Sequence, residues 1–280
     1  MKETRAEYLP IQKLRPFEGH PFKVTDNEEM DQLVWSVLTQ GLLTPLVVRP
    51  LPNGEYEVIS GHRRLHACKK AGIETVPALI YAIDRDAAAI ALVDSNLHRE
   101  SILPSEKAFA YKMKLEAIKH QGVASAQVGQ KLLSVEIVAD DAGESRNQIK
   151  RYIRLTYLIP ELLSMVDENE IAFNPAVEMS YLEQSEQRVL LDAMELNDCT
   201  PSHAQSIRLK KLSQEGVLDD QMIYAVMSEE KPNQQEQIKF KREDLKKYFP
   251  AGYTDEQMRR DIIKGLELLK RQRERNRDAR

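Results

Sequence analysis

The sequence is poor in cysteine, in long apolar runs and in excess positive charge, and each shortage removes a class of protein. Its two cysteines are Cys68 and Cys199. They are too few for a disulfide framework and too far apart for a metal-ligand motif, which fits a reducing compartment, the cytoplasm. Both read as small buried hydrophobes rather than reactive thiols. No apolar run approaches the ~18 residues of a membrane-spanning helix, and Met1-Lys2-Glu3-Thr4-Arg5 lacks an apolar signal core, so no membrane partner is expected. With 40 Lys and Arg against 44 Asp and Glu, the formal net charge is −4. That excludes a uniformly basic nucleic-acid binder, and any nucleic-acid contact must come from a local patch. His203 has no second Cys or His near it at metal spacing, and no carboxylate cluster is placed to hold two metals.

What is present is ample for a folded core. A chain of 280 residues, 42% hydrophobic and 30% charged, predicts about two domains, rich in helix. The most informative stretch is Ile59-Ser60-Gly61-His62-Arg63-Arg64-Leu65-His66-Ala67. Before it, Tyr56 and Val58 alternate with Glu55 and Glu57, as in a half-buried strand. After Gly61 the apolar residues Leu65, Cys68 and Ala71 recur at helical spacing, and Gly72 is a stop. Gly61 therefore sits where a strand becomes a helix. Glycine there lets a ligand approach the backbone. The open N–H groups of the helix start favour an anion, and Arg63 and Arg64 add two positive charges. The stretch reads as a phosphate-binding turn, with a solvated arginine pair as the alternative.

Around this stretch the order of elements describes a small mixed domain. Tyr8 to Pro16 reads as a strand and an extended lead-in. Asp26 is expected to cap a helix from about Glu28 to Gln40, with Met30, Leu33, Val34, Val37 and Leu38 inward and Trp35 at or near the core. Gly41 ends it. Leu46 to Val48 is a strand stopped by Pro50, and Asn53-Gly54 is a hairpin turn. Val76 to Tyr81 is a further strand, and Asp84 begins a helix toward Asn96.

From Ser105 the chain is helical to about Gly122. Between Ser134 and Leu155 it reads as a helix-turn-helix. Ser134 is expected to cap a first helix, with Ile137, Val138 and Ala142 inward. Gly143 makes the turn, and Ser145 caps a second helix held by Ile149, Tyr152, Ile153 and Leu155. The outer face of that second helix carries Arg146, Asn147, Gln148, Lys150, Arg151 and Arg154. These are the side chains that reach base edges and phosphates in a major groove. An amphipathic helix pair with a solvated face is the alternative. Glu136, Asp140, Asp141 and Glu144 make the first helix acidic, so it should stand off the phosphates. Helices are then expected from Ile159 to Ile171, around Asn174 to Met179, from about Ser185 to Asn197 and from Ser202 to Gln214. Lys231 to Gln237 reads as a polar linker and Ile238 to Phe240 as a short strand. Thr254 caps a last helix with Met258, Ile262, Ile263, Leu266 and Leu269 apolar. A basic tail follows, which either touches DNA non-specifically or is solvated.

The box Gly61-His62-Arg63-Arg64-Leu65-His66-Ala67 resembles the signature box of the ParB family of DNA-partition proteins. Ser95-Asn96-Leu97-His98-Arg99, followed by Pro104-Ser105-Glu106-Lys107-Ala108, resembles the family's third nucleotide motif. The resemblance spans roughly residues 8 to 215. It implies an α+β chain, with a ParB/sulfiredoxin-like nucleotide domain over 1–100, a helical helix-turn-helix domain over 101–230, and a linker and C-terminal helix over 231–280. It implies CTP at Gly61, His62, Arg63, Arg64, Ser95, Asn96 and Arg99, and at the Gly41–Pro45 segment, where Gly41 and Pro45 match the family and Thr44 is the third site position. It places magnesium at Asn96, for which a helix cap is the alternative. It places Ser145 to Arg154 on double-stranded DNA at a specific site. It also implies a homodimer closing as a clamp and a partition ATPase of the ParA type as partner. Two positions depart from the family pattern. Thr44 stands at the usual Gln, and Ser95 at the usual Glu, so nucleotide binding with weak or absent hydrolysis is expected, with Asp94 a possible substitute ligand. The rival readings are a transcription regulator built from the same two domains and, less well supported, a sulfiredoxin-like reductase or a nuclease. Glycine at position 61, where sulfiredoxin has its cysteine, argues against the reductase.

Overall fold

The computed structural model describes residues 4–97, 99, 101–121, 128–229, 248–249 and 254–278. The linker expected at Lys231 to Gln237, the strand expected at Ile238 to Phe240, and Gly122 and His98 lie outside the described residues. The chain divides into two compact units, Met1–Glu229 and Glu230–Arg280. The architecture is α+β, as the sequence implies.

The first unit opens with β1 (Thr4–Pro10), β2 (Leu14–Pro16) and α1 (Glu28–Gln40). It continues with β3 (Leu46–Pro50), β4 (Tyr56–Ser60), α2 (His62–Lys70), β5 (Thr75–Tyr81) and α3 (Arg85–Asp94). The five strands form one mixed sheet in the order β1-β5-β3-β4-β2. β3 and β4 pair antiparallel across the Asn53-Gly54 turn, where Gly54 has φ +80°. β5 joins β3 in parallel and β1 antiparallel, and β2 joins β4 in parallel. One apolar cluster takes Leu14, Met30, Val37, Val48, Val58 and Leu65 from strands, α1 and α2. A second takes Phe17, Ile59, Leu92 and Ala110 and ties β4 to α3 and to α4 (Pro104–His120).

Because β4 is covered by both clusters, its alternation is not that of a half-buried strand. Glu57 is buried with its neighbours. It is tolerated there because Arg49 Nε donates to it at 2.6 Å and the Glu18 amide at 3.2 Å, since a buried carboxylate needs partners. Other local expectations are also corrected. Trp35 is 65% exposed and Leu38 is also exposed. Trp35 lies roughly 140° round α1 from buried Met30, and no described element of the first unit covers that side. The cap of α1 is Asn27, whose side chain accepts the Met30 amide at 3.0 Å. Asp26 instead meets Lys70 and His66, each at 3.0 Å.

The helical part continues with α5 (Val128–Ala142), α6 (Arg146–Leu155), α7 (Pro160–Asp167), α8 (Phe173–Met179), α9 (Gln184–Asn197), α10 (His203–Gln214) and α11 (Asp220–Ser228). Ser134 does not cap a helix, because α5 begins at Val128 and Ser134 is buried within it. Gly143 turns with φ +64°, and Ser145 caps α6 by accepting the Gln148 amide at 3.2 Å. Tyr111, Val135, Val138, Ala139 and Ile149 form the cluster joining α4, α5 and α6. In the second unit, α12 (Asp255–Asp278) follows the Thr254 cap. Met258 is buried, and Ile263, Leu266 and Leu269 are exposed.

Candidate functional site

The Gly61 turn forms as its sequence requires. Gly61 has φ +102° and ψ +26°, a left-handed conformation, and α2 starts at His62 without a side-chain cap. A methyl at Gly61 would lie 2.6 Å from Leu46 Cδ2 and 3.1 Å from an Arg64 nitrogen. Glycine is therefore needed for both backbone angle and space. Arg64 reaches back across the turn. Its Nη1 donates to the Thr44 carbonyl at 2.6 Å and the Pro45 carbonyl at 2.9 Å. That contact brings the Gly41-to-Pro45 loop, which starts at Gly41 with φ +70°, against the Gly61 turn. Two segments that the sequence assigned to one site are thus adjacent. Burial lowers the Arg64 pKa from its high ordinary value. Arg63 points outward and meets Glu29 at 3.0 Å, with the two side chains 38% and 70% exposed. It is the charge of the pair most open to a ligand.

His62 is turned inward. Its Nε2 accepts the Phe17 amide at 3.2 Å and its ring stacks on His20 with centroids 3.7 Å apart. Burial, then the neighbouring His20, push its pKa down to about 3, against a backbone hydrogen bond at Val58. It is neutral at pH 7 and braces the turn rather than adding charge. Beside it a cavity of about 230 Å³ is lined by Pro16, His20, Val24, Leu65, His66 and Lys69 together with His62. His20, 42 positions from its ring partner, carries no local signal, and sequence reading missed it. Cys68 is buried, and desolvation raises its thiol pKa, the reverse of what a nucleophilic cysteine needs.

At the end of α3, Asn96 Nδ2 donates to the Leu92 carbonyl at 2.8 Å and lies 3.2 Å from Ser95 Oγ. Ser95 Oγ itself donates to Leu92 at 2.9 Å. Both side chains close the helix end. Arg99 is exposed. Asp94, the substitute ligand the sequence offered, is half exposed and meets Lys114 at 2.5 Å. Among the described residues no group of three or more His, Cys, Asp or Glu is placed to hold a metal ion.

On α6 the six polar residues divide. Arg151 bonds Asn174 and stacks on Phe173 at 5.0 Å. Arg154 donates to the Ser180 carbonyl at 2.6 Å and lies over Tyr157 and Tyr181 at 4.3 and 4.0 Å. Arg146 pairs with Glu136. Asn147 and Lys150 stand exposed, and Gln148 is half-buried beside them. Three of the four carboxylates that make this region acidic are paired, Glu136 with Arg146 and the other two with residues of α4. Asp141 meets Lys114 at 2.6 Å, and Glu144 accepts from Lys107 and Tyr111, each at 3.1 Å.

The chain thus combines a mixed sheet bearing a strand–Gly–helix turn with a helix-turn-helix that follows it. Residues 1–97 match the model of the ParB N-terminal domain, and the chain belongs to the ParB family. The chromosome-partitioning protein Spo0J of Thermus thermophilus is 36% identical over 176 residues, covering 62% of this chain and 60% of that protein. A probable chromosome-partitioning protein ParB of Vibrio cholerae is 31% identical over 206 residues, covering 73% and 66%. The chain thus matches about three fifths to two thirds of the length of these relatives. Among solved structures it resembles a C-terminally truncated ParB from Caulobacter crescentus complexed with CTP-gamma-S. That likeness has a TM-score of 0.32 and 26% identity, and covers 63% of this chain and 92% of that one.

Proposed function

We propose that this chain is a site-specific DNA-binding protein of a plasmid or chromosome partition system, a dimeric clamp gated by CTP. The observation that carries the reading is the Gly61 turn itself: a left-handed glycine, an uncapped helix start, Arg63 half-buried and held only by the exposed Glu29, and the Gly41-to-Pro45 loop fastened to it by Arg64. Backbone N–H groups and two guanidinium groups at one corner suit a triphosphate. A magnesium ion would arrive with the phosphates, with Asn96 the side chain of its motif that meets it. Ser95 directs its hydroxyl into α3 and Thr44 is short and exposed. Neither orients a water as a carboxylate or a Gln would. Binding therefore outlasts hydrolysis, and phosphate release with CTP and cognate DNA should stay near background. In the helical part, Ser145 to Arg154 enters the major groove, with Asn147, Gln148 and Lys150 outward. A ParA-type ATPase and a second copy of the chain complete the assembly, in the cytoplasm and on DNA.

The test is a genome-wide recovery of bound DNA with and without CTP. A few sharp peaks that spread with CTP support the clamp. Sharp peaks indifferent to CTP would make the protein a transcription regulator with the same two parts. Absence of peaks would refute specific DNA binding.

A further inference from the structure

Helix α4 carries a lysine that neither candidate site uses. Lys114 is 1% exposed. Its ammonium is held by carboxylates from two other helices, Asp94 at the end of α3 at 2.5 Å and Asp141 near the end of α5 at 2.6 Å. Those carboxylates are half exposed, with side chains 47% and 50% accessible. Either can exchange the lysine for water, whereas the buried ammonium cannot be left without any partner. The two anchors sit at informative places. Asp94 directly precedes Ser95 and Asn96. Asp141 lies two residues before the Gly143 turn into α6. A second link runs in parallel: Leu97, next to Asn96, packs with Ile90 against the Tyr111, Val135, Val138, Ala139 and Ile149 cluster that joins α5 and α6 to α4.

We propose that the Asp94–Lys114–Asp141 bridge transmits occupancy of the Asn96 motif to the recognition helix. Asn96 and Asp94 are two residues apart at one helix end, so drawing Asn96 toward a phosphate moves Asp94 with it. Lys114 then follows Asp94 or stays with Asp141, and the junction of α3 with α5 has two discrete arrangements. A two-state element biased from both ends is what couples two sites, and the coupling is reciprocal. Lys114 and Asp141 touch neither ligand and are positioning residues. The inference rests on the CTP and DNA reading above.

The test uses the intact chain. A duplex is selected by the unmodified protein from a random-sequence pool. CTP affinity is then measured by calorimetry, alone and with that duplex at saturation. The ratio should differ from one in the unmodified protein, within the roughly 5–150-fold range of such couplings. It should fall to one in Asp141→Asn and Lys114→Met while each ligand's affinity measured alone is unchanged, and it should survive in Asp141→Glu. Asp141→Asn leaves Lys114 paired with Asp94, so loss of folding is not expected there. A ratio retained in Asp141→Asn, or a ratio of one in the unmodified protein, would overturn the bridge. Failure of the unmodified chain to bind CTP or to select any duplex would overturn the functional reading, and the bridge with it.

Discussion

The Gly61 turn and α6 both looked like rows of basic residues awaiting an anion, and the fold treats them differently. In the turn, His62 and Arg64 are half-buried braces and Arg63 alone of the three reaches outward. On α6, Arg151 and Arg154 are fastened to α8 and to Ser180 just beyond it, whereas Arg146, paired with Glu136, is exposed with Asn147 and Lys150, and Gln148 is half-buried beside them. A basic residue type therefore does not establish a ligand contact. The contact depends on whether its donors are held by backbone carbonyls and packed rings or only by an exposed carboxylate that a ligand can replace. Substitutions at these positions separate the residues that brace the fold from those that meet a ligand.

The largest effect should come from Gly61→Ala. The left-handed φ costs ~1–2 kcal/mol in an alanine, and the clash with Leu46 and Arg64 adds ~1–3 kcal/mol of overpacking. Thermal unfolding should shift down by several degrees, and an unchanged midpoint would show that the turn relaxes freely. Next, Arg64→Ala should lower both stability and CTP affinity. It removes charge-assisted bonds to two carbonyls, roughly 1.5–3 kcal/mol by the usual worth of such bonds, and loosens the Thr44 loop. On α6, Asn147→Ala or Gln148→Ala should cost about 1–3 kcal/mol at one base position. Lys150→Ala should weaken all sequences alike and flatten the salt slope. Arg154→Ala, by contrast, should lower the unfolding midpoint with specificity intact. A band-shift series at several salt concentrations distinguishes these outcomes.

A smaller effect is expected from pH. The folded-state pKa of His62 is about 3, below the ordinary value near 6.5. Below that ordinary value the unfolded chain binds the proton that the folded chain excludes. The contribution is therefore fully present above pH ~6.5 and is lost progressively as pH falls toward ~3. His62→Gln should flatten that limb of a denaturation-versus-pH curve, and an unaltered limb would show that His62 is hydrated in solution.

Much of the fold was legible because it is local. The Asn53-Gly54 hairpin, the Asp84, Ser145 and Thr254 caps and the Gly143 turn each follow from a few adjacent residues. What was not legible depends on a second layer. Glu57 is buried because α3 and α4 cover the far side of β4. Trp35 is exposed because no described residue of the first unit packs over the outer side of α1. Ser134 is internal because α5 starts earlier than its cap-like sequence suggests. The site was legible in the same measure. Gly61 and the Gly41-to-Pro45 loop do meet, but the inward turn of His62 and the capture of Asp94 by Lys114 involve partners 20 to 45 positions away.

The central claim is that the Gly61 turn holds a nucleoside triphosphate through Arg63. Calorimetric titration of CTP into the unmodified chain and into Arg63→Ala tests it most directly. Arg63 meets the exposed Glu29 in this structure, and an exposed pair contributes ~0–1 kcal/mol to stability, so the fold survives the change. The account expects saturable CTP binding that weakens by roughly 1.5–3 kcal/mol, on the order of ten- to a hundredfold, in Arg63→Ala. Equal affinities in the two proteins, or no saturable heat in either, would contradict it.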